Sequence, residues 1–154
     1  MTCLCHGLNK LSYLGVVILS GETCDVDISC VQRKFFSSVN SVFSRSSICT
    51  ENIKLHLCEA HCLPILLYSS ECFDFITTQK REVNSWWNSV YRKIFGYHKW
   101  ESVRQLICLL ERLDFLSLLE FRKFCFTKML MDSECTVIKS IFVFIQIGQR
   151  MCKL

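Results

Sequence analysis

Apolar residues along this chain change their period early. Leu11–Leu19 is a run rich in Val, Ile, Leu and Tyr that stops at Ser20-Gly21, a turn signal, and it predicts a short strand or hairpin arm. From Asp27 to about Phe43 the positions Ile28, Val31, Phe35, Val39, Val42 and Phe43 fall on one helical stripe, with Gln32, Arg33 and Ser37 turned away from it. Asp25 or Asp27 caps the start of that helix. Thr50 is placed to cap a second helix, Glu51 to about Leu63, with the Glu51 carboxylate favourable in its first turn. Pro64 stands at the end of it. There it either opens a continuing helix over Ile65–Cys72 or kinks one long helix, and the pattern leaves both open.

The clearest helix spans Thr78 to Phe95. Val83, Trp86, Trp87, Val90, Tyr91, Ile94 and Phe95 follow the i, i+3, i+4, i+7 rule, and Gly96 stands where a left-handed C-terminal cap belongs. Arg81, Asn84, Asn88 and Arg92 run opposite the aromatic stripe, with Lys93 beside them. A shorter helix follows over about Ser102–Leu110. The next opens at Ser117-x-x-Glu120, read as a capping box, and runs through Arg122, Lys123, Phe126 and Lys128 to about Met131. The tail Val137–Ile147 suits a strand by its β-branched and aromatic content, while Ile138, Ile141, Phe142 and Ile145 also fit a helix. The expected fold is mainly α: a helical bundle with a short N-terminal β segment. The β segment occupies residues 1–24, the helical region 25–131, and an unassigned tail 132–154.

Composition narrows the class. The length of 154 residues suits one domain or part of a larger one, and 51% hydrophobic against 21% charged residues excludes a disordered chain. So high an apolar share leaves room for a surface that packs against further protein. The formal net charge of +4 is unevenly spread. Residues 1–77 hold five Lys/Arg against seven Asp/Glu, whereas residues 78–128 hold ten against five. That middle basic excess serves either as a solvated helix surface or as an attractor for phosphate. Twelve Cys are scattered without a CxxC pair, several at core-type helical spacing, and they read as reduced thiols of a cytoplasmic or nuclear protein. Leu11–Leu19 is interrupted by Ser12, Tyr13 and Gly15 and only weakly preceded by positive charge, so it reads as a strand and not as a secretory leader.

Candidate chemistry is thin. The five Asp are Asp25, Asp27, Asp74, Asp114 and Asp132; none are adjacent, and Asp25-x-Asp27 reads as a helix-start cap, not a metal site. Cys58-x-x-His61-Cys62 with His56 nearby, and Cys3-x-Cys5-His6, imitate zinc ligand sets. Structural zinc sites, however, draw ligand pairs from separate turns, so no metal is expected. No spacing supplies an orienting partner for a Cys–His nucleophile, so no catalytic residue is assigned. Trp86, Trp87, Tyr91 and Trp100 have the chemistry to stack on bases, but Trp86 and Trp87 lie in the apolar stripe, where core packing is expected.

Several of these segments together resemble a known family. Lys10-Leu11-Ser12-Tyr13-Leu14-Gly15-Val16-Val17-Ile18 resembles the block that follows the catalytic palm motifs of LINE-type, non-LTR retrotransposon reverse transcriptases. His61-Cys62-Leu63-Pro64-Ile65-Leu66-Leu67-Tyr68-Ser69-Ser70-Glu71 resembles the family's Cys-x-Pro-x-x-x-Tyr-Gly-x-Glu segment, with Ser69 where the family usually has Gly. Trp87-Asn88-Ser89-Val90-Tyr91-Arg92-Lys93-Ile94-Phe95-Gly96 looks like its thumb helix, and Leu113–Leu130 resembles the closing helix of the same region. Each block alone is weakly specific; their order over residues 10–131 is what carries the likeness, which points to the jockey-like and chicken-repeat-like branches.

The resemblance implies a thumb-like bundle joined to a primer-grip edge. In the family, palm carboxylates including an adjacent Asp-Asp pair hold two Mg2+ ions, and those motifs come before the block that Lys10–Ile18 resembles. The chain is therefore expected to be a truncated portion without polymerase activity of its own and without a cofactor. By the same resemblance, Tyr13 and Gly15 would lie at the primer-grip edge. Arg81, Asn84, Asn88, Arg92 and Lys93 would touch the phosphates of an RNA–DNA or other duplex, positioning it without reading sequence. No membrane and no small-molecule substrate is expected as a partner. The expectation from another class is a small helical interaction module, or an inert translated relic.

Overall fold

Asp27 marks the point where the chain turns helical, because its carboxylate accepts a hydrogen bond from the Ser29 N–H at 3.0 Å and caps the first helix. In the computed structural model, residues 10–13, 16–19, 25–68, 70–71 and 75–137 are described. Ahead of that cap, β1 (Lys10–Tyr13) and β2 (Val16–Leu19) pair antiparallel, with Lys10 opposite Leu19 and Tyr13 opposite Val16, and β3 (Asp25–Val26) pairs with β2. The Asp27 N–H donates to the Val17 carbonyl at 2.9 Å and ties this ribbon to the helices.

The helices are α1 (Ile28–Arg45), α2 (Glu51–His61), α3 (Leu63–Leu67), α4 (Thr77–Phe95), α5 (Arg104–Leu109) and α6 (Phe115–Asp132). The chain is mainly α, as its periodicity predicts. Pro64 sits in the first turn of α3, where a missing N–H breaks no helical bond, so the helix ends at His61 and restarts. The continuation stops at Leu67, short of the expected Cys72, which is outside the described residues.

Packing centres on α4, which touches α1, α2 and α6. Trp87 and Tyr91, each 1% exposed, meet edge to face at 5.7 Å, and Trp87 lies 6.4 Å from Phe35 of α1. Leu55, Cys58, Leu66, Phe115 and Leu119 close the same core. Trp86 is only partly buried and packs against Phe36 at 6.3 Å. The helix ends at Gly96, whose φ of 70° is the left-handed cap that the sequence predicts there.

The start of α6 corrects one expectation. Asp114, not Ser117, is the N-cap, and its carboxylate accepts from the Ser117 N–H at 3.2 Å. Starting three residues earlier places Phe115 and Leu119 one turn apart, and both are fully buried. Among the described residues no helix is long and apolar enough to cross a membrane. Gly15, the segment Cys3–His6, Asp74 and the tail beyond Val137 lie outside the described residues.

Candidate nucleic-acid interface

The polar positions of α4 do not form one open face. Arg81, Asn84, Asn88 and Arg92 share a stripe at i, i+3, i+7 and i+11, but their surroundings differ along it. Arg81 is exposed near the N-terminal end of the helix. Asn84, Asn88 and Arg92 are half-buried, because α5 and the start of α6 fold over that part of the stripe. Between them lies a cleft of about 640 Å3, to which Arg104, Arg112 and Asp114 also contribute.

Three guanidinium groups therefore line this cleft against one carboxylate. The Asp114 charge is largely directed into its own helix start, and Arg112 is paired with Glu59 of α2, Nε to Oε1 at 2.8 Å. Arg92 donates through Nε to the Glu101 carbonyl at 2.9 Å, which anchors the segment after α4. Arg104 is exposed and has no ion pair among the described residues. The Oδ1 atoms of Asn84 and Asn88 are fully enclosed without a hydrogen-bond partner.

Lys93 is turned away from this cleft. It follows Arg92 by one residue, and so sits about 100° further round the helix. There its ammonium bonds Asn40 Oδ1 at 3.2 Å and rests 4.4 Å from the centre of the Phe43 ring, both on α1. The structure thus brings Asn84, Asn88 and Arg92 together, leaves Arg81 open beyond them, and assigns Lys93 to the α1–α4 contact. Tyr13 ends β1, paired with Val16.

Sequence reasoning missed Arg104 and Arg112 as members of the site. They follow α4 in the chain, and only the fold-back of α5 brings them to it. Of Trp86, Trp87, Tyr91 and Trp100, Trp100 is the one left open: it is 83% exposed and stacks on His98 with ring centres 4.9 Å apart. That gives one flat apolar surface in the segment that Arg92 anchors. Trp87 and Tyr91, by contrast, are enclosed in the core.

Cys58 and Cys62 are fully buried while His61 is exposed, and no group of three metal-ligating side chains occurs among the described residues. The hydrogen bond to Cys62 and burial push the Cys58 thiol up, while hydrogen bonds from Cys58 and Ser38 favour ionisation of Cys62 first, against its burial. Comparison with family models, with curated proteins and with solved structures finds no match to this chain.

Proposed function

We propose that this chain descends from the primer-grip edge and thumb of a non-LTR retrotransposon reverse transcriptase. Its own role is then weak, sequence-independent binding to duplex nucleic acid through phosphate contacts. The supporting observation is that the residues resembling the family's thumb helix form the C-terminal half of α4, beside a cleft with Arg92, Arg104 and Arg112 on its walls. Donor-bearing side chains on a rigid helix suit phosphate, which needs charge and placement more than base recognition. The adjacent Asp-Asp pair of the family occurs nowhere in this sequence, so no polymerase step is assigned to it.

Fluorescence anisotropy with an RNA–DNA hybrid tests this reading. Arg81→Ala and Arg104→Ala remove exposed cations that hold nothing else, and each is expected to weaken binding by about threefold to tenfold at low salt. Equal affinity for the parent chain and the double variant would remove the nucleic-acid role.

A second reading, a helical interaction module, has one observation in its favour. α6 exposes Phe121 at 58%, Phe124 at 67%, Met129 at 61% and Met131 at 52%, a helix surface more apolar than water favours. A chain that binds no hybrid at low salt but elutes with a protein partner supports that reading.

A further inference from the structure

A second cleft, of about 540 Å3, lies between α1 and α2. One stripe of α1 forms its wall: Lys34, Ser37, Ser41 and Arg45 sit at i, i+3, i+7 and i+11. Leu57 and His61, one turn apart on α2, face them. From Lys34 to Arg45 the stripe runs about 16 Å at the helical rise.

Its chemistry is one-sided. α1 carries Arg33, Lys34 and Arg45 and no carboxylate, and no carboxylate lines the cleft. Elsewhere cations take partners, as in Lys80–Glu120, Arg112–Glu59 and Arg122–Glu71, but neither Lys34 nor Arg45 has an ion pair among the described residues. The hydroxyls divide in the same way. Those of Ser38, Ser44 and Ser46 are engaged with Cys62, the Ser41 carbonyl and the Val42 carbonyl. Ser37 and Ser41 are exposed between the two cations.

Serine is a weaker helix former than the Glu, Lys or Gln that a merely solvated face favours, because its hydroxyl competes for backbone groups. Hydroxyl donors set between two unpaired cations match a group with several acceptor oxygens and more than one negative charge. Val42 and Leu57 add apolar contact for carbon attached to it. No Phe, Tyr or Trp lines the cleft, and its one ring is the small imidazole of His61.

We propose that this α1–α2 groove is a phosphate-binding site for organic phosphates, with Lys34 and Arg45 holding the charge and Ser37 and Ser41 donating between them. The site is separate from the α4–α6 cleft and does not depend on the thumb reading.

The test is an amide NMR titration of the full chain with inorganic pyrophosphate and, in a parallel arm, with a short oligothymidylate. Saturable shifts are expected at Ser37, Ser41, Arg45 and His61, with a dissociation constant of about 1 mM for pyrophosphate. Lys34→Ala and Arg45→Ala should each weaken it by about fivefold or more, and Ser41→Ala, which changes no charge, by about twofold to threefold. Lys128→Ala, which removes an exposed cation of α6 outside both clefts, should leave it unchanged. If the oligothymidylate weakens in the same variants, the phosphate belongs to a nucleic-acid backbone; if only pyrophosphate does, it belongs to a small molecule. Shifts that do not saturate, or an affinity that follows total charge and ignores Ser41→Ala, would overturn the proposal.

Discussion

Gly96 and Glu111 both adopt left-handed backbone, with φ of 70° and 54°, and they respond oppositely to substitution. A Cβ added at Gly96 meets no atom within 4 Å, so Gly96→Ala carries only the backbone cost, about 1 kcal/mol of stability. Glu111→Gly relieves the same cost at the end of α5 and should stabilise by up to about 1 kcal/mol in urea denaturation. Tyr91 ties the core to pH. Burial, with the Glu59 carboxylate adding to it, pushes its hydroxyl from 10.0 up to about 12. The folded chain therefore holds this proton more tightly than the unfolded one. The contribution is intact below pH 10 and lost as pH rises to 12. Tyrosinate absorbance should show a Tyr91 step near pH 12, together with loss of helical circular dichroism.

The elements differ in how openly the sequence declares them. α4 was legible almost to the residue, because its aromatic stripe, polar stripe and terminal Gly96 all agree. α6 was less so. Asp114 and Ser117 are both capping residue types, and the choice between them depends on Phe115 and Leu119 reaching a core that local sequence does not reveal. The same helix separates its apolar residues poorly, with Phe115 at 0% and Phe124 at 67% exposure. Phe115→Ala is expected to cost about 3–5 kcal/mol, while Phe124→Ser should stay within about 0.5 kcal/mol of the parent in the same denaturation assay. The candidate site was half legible. Arg81, Asn84, Asn88 and Arg92 follow from helical spacing, whereas Arg104 and Arg112 join through the fold-back of α5. Lys93 is adjacent in sequence to Arg92 but packs against α1, since one residue's rotation carries it to Asn40 and Phe43.

Among the described residues, positive charge gathers at two clefts that have little acid to balance it. One is the cleft between α4, α5 and α6; the other is the groove between α1 and α2. The apolar core around Trp87, Tyr91, Phe35 and Phe115 separates neither function nor fold from these surfaces, since α4 and α1 each supply both a buried stripe and a cationic one. On the proposed thumb ancestry, binding to a duplex displaces counterions, and affinity must then fall with added salt irrespective of base sequence. The most direct measurement is the salt dependence of affinity for an RNA–DNA hybrid, taken with two unrelated sequences. The account predicts a log–log slope of about −2 to −4 for both, made shallower by about 1 in Arg81→Ala. A slope near zero, or binding to one sequence and not the other, would contradict it.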